Sequence, residues 1–134
     1  MNGFPLKIVT PDGLKFDGIA QSLTVRTTTG DMGFLAGHRD CIAPLGMGRA
    51  TVVVDGERKY AACIGGMVSI VGGKATLVPT TFEWAGDIDL TRAQRSQARA
   101  EALLKEKGVS NADIKLAEAR LRRALVRQSV AQSK

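Results

Sequence analysis

The stretch Ala50-Thr-Val-Val-Val54, Asp55-Gly56 and Arg58 to Ile64 reads as two β-strands joined by a two-residue turn. Valine is stiff about its first side-chain bond and suits a pleated strand. Asp-Gly tolerates the positive φ that a type I′ turn needs, and the twist of that turn matches the twist of the flanking strands. A second hairpin of the same kind follows, with Met67 to Val71, Gly72-Gly73 and Ala75 to Val78. Upstream, Phe4-Pro-Leu-Lys-Ile-Val9 leads into a turn at Pro11-Asp-Gly13. Ile19 to Thr27 alternates, with Ile19, Leu23 and Val25 apolar and Gln21 an exception. Gly30, Gly33 and Gly37 punctuate the next stretch. Many short strands separated by turn residues predict a β-sandwich or barrel.

The pattern changes near Trp84. After it come no prolines, and the only glycines are Gly86 and Gly108. Asp87 or Asp89 is placed to cap a helix running to about Lys107, with Gly108 as its C′ residue behind Lys105 and Lys107. Ser110-Asn-Ala-Asp113 then resembles a capping box that opens a second helix. Leu90, Ala93, Ala100 and Leu104 form an apolar seam on the first helix, interrupted by Gln97. Ile114, Ala117, Leu121, Ala124 and Ala131 form one on the second, interrupted by Gln128. A short connector predicts antiparallel neighbours. Alanine lets backbones approach closely but buries little, about 1 kcal/mol or less per methyl, so the seam predicts a weakly held hairpin. Residues 1–85 are thus expected to form a β-sandwich or barrel, and residues 86–134 an antiparallel two-helix hairpin.

Composition narrows the function. A hydrophobic fraction of 44% and a charged fraction of 24% are those of a globular chain. The net charge of +6 is confined to one part: residues 1–88 hold eight bases and eight acids, whereas residues 89–134 hold eleven bases and five acids. A neutral body with a basic tail predicts an acidic partner for the tail. One histidine, two cysteines and no CxxC give no zinc pattern, and Cys41 and Cys63 read as free thiols in apolar stretches. No nucleophile stands at a recognisable spacing from His38 and an acid, so no catalytic residue is expected. Gly65-Gly66 and Gly72-Gly73 match neither phosphate-loop pattern. No run approaches the ~18 apolar residues of a membrane span. No signal-peptide stretch or transit peptide is read at the start, so the expected place is the compartment of synthesis.

Gly30-Asp-Met-Gly-Phe-Leu-Ala-Gly-His38 resembles the signature of ATP synthase epsilon subunits, G-E-x-G-x-L-P-G-H. Ile8-Val-Thr-Pro-Asp-Gly13, Ile64-Gly-Gly-Met-Val-Ser-Ile70, Ile88-Asp-Leu-Thr-Arg-Ala93 and Lys115-Leu-Ala-Glu-Ala-Arg-Leu-Arg-Arg-Ala124 resemble further segments of that family in the same order. Ala36 stands for its usual proline, Ile64 for serine and Ser69 for glutamate, and Pro79-Thr-Thr replaces an acidic, alanine-rich link.

The resemblance implies a non-catalytic rotor subunit of a proton- or sodium-translocating ATP synthase. It implies a β-sandwich of about ten strands followed by the two-helix hairpin, the sandwich held by the gamma subunit and resting on the c ring, with the segment Gly30 to Asp40 as an exposed loop toward the ring. It also implies a hairpin that folds down, or extends toward the alpha and beta subunits and inhibits ATP hydrolysis. The location implied is peripheral, on the cytoplasmic face of the bacterial plasma membrane or on the thylakoid. No cofactor is required, but some bacterial relatives bind ATP as a regulatory ligand. The positions that match their pattern are Glu83, Ile88, Asp89, Arg92, Ala93, Arg99, Arg123 and Arg127, with the arginines toward phosphate, where sandwich and hairpin join. The alternative reading is a β-sandwich interaction module whose basic tail binds an acidic partner or nucleic acid. No aromatic residue follows Trp84 to stack on bases, which argues against nucleic acid.

Overall fold

The computed structural model describes residues 2–133. The chain divides into two compact units, residues 1–84 and 85–134. The first contains ten strands: β1 (Phe4–Thr10), β2 (Gly13–Ala20), β3 (Ser22–Thr27), β4 (Gly30–Leu35), β5 (Cys41–Pro44), β6 (Met47–Val54), β7 (Glu57–Ile64), β8 (Met67–Val71), β9 (Lys74–Val78) and β10 (Thr81–Trp84). They form two five-stranded sheets, ordered β2-β1-β9-β8-β5 and β10-β7-β6-β3-β4. Among the described strands, only β1 and β9 pair in parallel. The second unit holds a 3₁₀ turn (Ala85–Asp87), α1 (Leu90–Lys105) and α2 (Asn111–Ala131).

Alternation fixes which residues meet between the sheets. Leu6 and Ile8 of β1, Leu23 and Val25 of β3, Val52 of β6, Val68 and Ile70 of β8 and Leu77 of β9 are buried, and Phe34 and Phe82 are the largest fully buried side chains. Trp84 meets Phe82 edge to face at 4.9 Å between centroids and Phe16 at 6.4 Å. Because Phe16 lies on β2 and Trp84 on β10, these rings link edge strands of opposite sheets. Cys63 belongs to this core, and burial pushes its thiol up to about 12. The turn at Asp55-Gly56 has φ of +52° and +79°, as a type I′ turn requires.

Three segments depart from the sequence reading. Ile19 to Thr27 is not one strand: β2 ends at Ala20 in one sheet and β3 begins at Ser22 in the other. Gln21, the exception in the alternation, is the corner. Its N–H donates to Val53 O at 2.8 Å, and parity flips there, with Ala20 buried before it and Leu23 and Val25 after it. Ile19 therefore faces outward and is 54% exposed. Second, Gly30–Leu35 is an edge strand paired with β3 rather than part of a loop; the loop proper begins at Ala36. Within it His38 is half-buried against Phe34, while Arg39 and Asp40 are exposed. Third, α1 ends at Lys105, where the Glu106 N–H turns back to Leu103 O, so Gly108, with φ of +80°, serves the connector instead of the helix end.

Three crossings between the sheets lie together at one end of the sandwich. The Leu45 N–H donates to Gly66 O at 2.8 Å, Gly65 N–H to Gly46 O at 2.9 Å and Thr80 N–H to Gly65 O at 3.4 Å. Gly65 and Gly66 both have positive φ, and a Cβ on Gly66 would collide with the carbonyl of Val78 and the Cα of Pro79. Gly66→Ala is expected to cost about 3 kcal/mol through strain and overpacking. Gly72→Ala, where a Cβ meets nothing within 4 Å, is expected to cost about 1 kcal/mol from positive φ alone. Urea unfolding midpoints of the two variants check the difference.

Candidate functional site

The hairpin is built from local signals. The Asp89 carboxylate accepts the Arg92 N–H at 3.0 Å and caps α1, while the Ser110 hydroxyl accepts the Asp113 N–H at 3.1 Å and caps α2. Each bond satisfies a backbone donor that the helix itself cannot. α1 packs along α2 through the expected seams, and Ala93, Ala100, Ala117 and Ala124 are buried together with Val130. The two polar interruptions meet: Gln128 Nε2 donates to Gln97 Oε1 at 2.6 Å.

The candidate ligand residues occupy distinct environments. Arg92 and Arg99 are exposed on α1, and Arg123 and Arg127 are half-buried on α2. Arg95 completes an exposed stripe with Arg92 and Arg99 at helical spacing, and exposed Arg120 stands at the same kind of spacing from the half-buried Arg123 and Arg127. Among the described residues, no carboxylate forms an ion pair with Arg92, Arg99 or Arg123. Guanidinium groups gathered without acids favour an anion. Asp89 already holds a backbone N–H, and the methyl of Ala93 is buried in the seam, so both have structural roles in the hairpin. Ile88 is half-buried just before the cap. Glu83, half-buried on β10 opposite Ala62, belongs to the other unit. Among the described residues, no cluster of three or more His, Cys, Asp or Glu could hold a metal ion, and no helix is long and apolar enough to cross a membrane.

The sandwich carries a feature the sequence reading missed. Leu14 pairs with Val9, Val78 with Met67, and Met67 with Pro44. Ile8 pairs with Leu77, which brings Val9 level with Val78. These five residues cross all five strands of the first sheet in one row. Leu14 is 58%, Val78 47% and Met67 43% exposed, and Ile42 and Val71 lie exposed on the same face. The available signal was parity: these apolar residues fall at alternate positions to the buried Ile8, Leu77 and Val68. A contiguous apolar row on an exposed sheet face marks an interaction surface. At the far end of that sheet Asp40 Oδ1 accepts the Gly72 N–H at 2.9 Å, tying the loop after β4 to the β8–β9 turn.

Comparison with known proteins covers both units. Residues 3–85 match the family description "ATP synthase, Delta/Epsilon chain, beta-sandwich domain", and residues 87–132 match "ATP synthase, Delta/Epsilon chain, long alpha-helix domain". The chain is 37% identical over 132 residues to the ATP synthase epsilon chain of Ruminococcus albus, covering 98% of each. It is 36% identical over 134 residues to that of Bacillus cytotoxicus, covering 100% of each. In fold it is similar to a chain of the Euglena gracilis mitochondrial ATP synthase structure, with TM-score 0.83, 20% identity and coverage of 95% of this chain and 80% of that one.

The cap and the arginines are separable. Asp89→Ala is expected to destabilise the hairpin by about 1 kcal/mol, whereas Arg99→Ala, exposed and without an ion pair among the described residues, should change stability by less than about 0.5 kcal/mol. Helical circular dichroism followed through a urea titration distinguishes the two.

Proposed function

This chain belongs to the ATP synthase epsilon family, a non-catalytic subunit of that complex, and from that premise we propose that it couples and restrains the motor with separate parts. The sandwich docks on the gamma subunit and the c ring. The hairpin alternates between a folded arrangement and an extended one that reaches the alpha and beta subunits and inhibits ATP hydrolysis. The subunit is peripheral and meets the membrane only through the complex, at the cytoplasmic face.

The row Leu14, Val9, Val78, Met67, Pro44 is the proposed gamma surface. It is the contiguous apolar stripe on a neutral body, and its far side is already committed to the core. The end of the sandwich where this row lies also holds the three sheet crossings, whose mutual hydrogen bonds leave it stiff. A stiff end adjoining the gamma surface suits a part that transmits torque to the c ring.

For regulation, the observation that carries the reading is the hairpin's imbalance. Its seam buries alanines around one part-buried amide pair, whereas its surface carries Arg92, Arg99 and Arg123 with no acidic partner among the described residues. Opening such a seam costs a few kcal/mol, at about 1 kcal/mol or less per buried methyl. ATP bound by Arg92, Arg99, Arg123 and Arg127 relieves their mutual repulsion and so favours the folded hairpin. If only that form binds, stabilisation grows as RT ln(1 + [ATP]/Kd), about 2.7 kcal/mol at a hundredfold excess. The two figures are comparable, so ATP level sets the balance. With ATP scarce, the extended hairpin offers Lys115, Arg120, Arg122, Arg123 and Arg127 to acidic surface on beta.

Three measurements check these assignments. Met67→Glu should weaken binding to purified gamma about a hundredfold, equivalent to ~2.7 kcal/mol, while leaving the sandwich's unfolding midpoint nearly unchanged; unaltered affinity would remove gamma from this face. Deleting residues 89–134 should raise hydrolysis by the assembled catalytic complex at low ATP. Calorimetry with Mg-ATP should show binding to the wild type that Arg123→Ala weakens at least tenfold. Unchanged hydrolysis in the truncation, or no heat of binding, rejects the corresponding half of the regulatory reading.

A further inference from the structure

The seams of both helices repeat at intervals of seven. Ala93 and Ala100 on α1 are seven residues apart, as are Ala117, Ala124 and Ala131 on α2. Such a repeat is nearly self-similar under a seven-residue slip of one helix along the other, because alanine would again face alanine. In the observed register, marked by Gln97 against Gln128, the first turns of α2 extend past the end of α1 and the connector from Glu106 to Ser110 spans that offset. Slipping seven residues toward a shorter overhang would place Ala100 against Ala117, Ala93 against Ala124 and Leu104 against Ile114. The connector would then have less distance to cover. Neither alanine packing nor chain connectivity therefore selects the observed register.

The amide pair does. In the slipped arrangement Gln97 would face Leu121 and Gln128 would face Leu90, so two amides would lose their partners against apolar side chains. Both amides are part-buried in the seam, and leaving such a group unpaired against apolar side chains adds a desolvation cost to the lost hydrogen bond. A single polar pair in an apolar seam is an effective way to fix the register of packed helices. Register in turn decides which arginines are neighbours. With a rise of about 1.5 Å per residue, the Gln97–Gln128 bond brings Arg99 level with Val126, between Arg123 and Arg127. In the slipped register Arg99 would fall level with Ala119, about 6 Å short of Arg123 along the axis and about 12 Å short of Arg127.

We propose that Gln97 and Gln128 are positioning residues: their hydrogen bond selects one register from a degenerate alanine repeat and thereby aligns Arg99 with Arg123 and Arg127 as a single anion site. The alignment half of this proposal rests on the nucleotide reading above; the register half does not.

The test uses the full chain with Cys41→Ser and Cys63→Ala and spin labels on cysteines replacing Glu101 and Leu125, both exposed and nearly level in the observed register. Pulsed dipolar spectroscopy without nucleotide should give one distance for this background. Adding Gln97→Ala and Gln128→Ala should introduce a second, longer distance, from an axial offset of about 10 Å. Gln97→Glu with Gln128→Lys, an ion pair at the same place, should restore the single distance. In parallel, Mg-ATP titration should show affinity falling at least tenfold in the alanine pair and recovering in the ion-pair variant. A single unchanged distance in the alanine variant overturns the proposal. Loss of helical circular dichroism in that variant also overturns it, since the pair would then hold the hairpin together rather than choose its register. If the distances behave as expected but the wild type binds no ATP, the register inference stands and the nucleotide reading falls.

Discussion

Three backbone hydrogen bonds at the corner of Leu45, Gly46, Gly65, Gly66 and Thr80 hold the two sheets to each other where the chain passes between them. Each crossing is a place where a strand's polar backbone leaves its ladder, and an unpaired buried N–H or C=O is costly. Placing the crossings side by side lets them satisfy one another. Only glycine at 65 and 66 permits that approach, because both residues have positive φ and a Cβ at 66 would collide with Val78 O. The outward row through Pro44, Met67 and Val78 begins at this corner, so its alignment depends on the same bonds.

The second unit rests on different physics. The sandwich buries large side chains from two sheets, including Phe34, Phe82, Leu6, Ile8 and Leu77. Among the described residues the hairpin buries four alanines and a valine, and an amide pair, Gln128 with Gln97, bonds α1 to α2. Packing free energy follows buried apolar area, so one unit is a rigid platform and the other sits nearer its opening threshold. A part that must change arrangement is drawn from the less stable end of a structure. The net positive charge is confined to that same part, so the element proposed to move is also the element proposed to recognise anions.

Much of this was legible in the residues. Asp55-Gly56 gave its turn away because few residue pairs tolerate two consecutive positive φ values, and the register from Val54 with Glu57 to Met47 with Ile64 follows from it. The helix caps were readable because Ser110 and Asp89 are small polar residues at the boundary of an apolar period. What was not legible depends on contacts distant in sequence. Gln21 broke the alternation, but a single exception does not reveal whether a strand has ended or changed sheets. The glycines at 30 and 33 looked like loop punctuation, yet β4 is an edge strand that needs only β3 as a partner. The outer apolar row required the register of five strands drawn from three separate parts of the chain. The arginines were countable from sequence, whereas their alignment across the hairpin depends on which seam residues face one another, and an alanine repeat does not specify that.

The central claim is that platform and hairpin have separate stabilities and that nucleotide acts on only one of them. Hydrogen exchange by mass spectrometry on the isolated full chain, with and without Mg-ATP, tests it most directly. The account predicts that amides of α1 and α2 exchange at least a hundredfold faster than those of β1, β6 and β7, equivalent to ~2.7 kcal/mol or more of difference in opening free energy. It also predicts that Mg-ATP slows the helices and leaves the strands unchanged. Equal protection in helices and strands, together with no response of either to nucleotide, would contradict it.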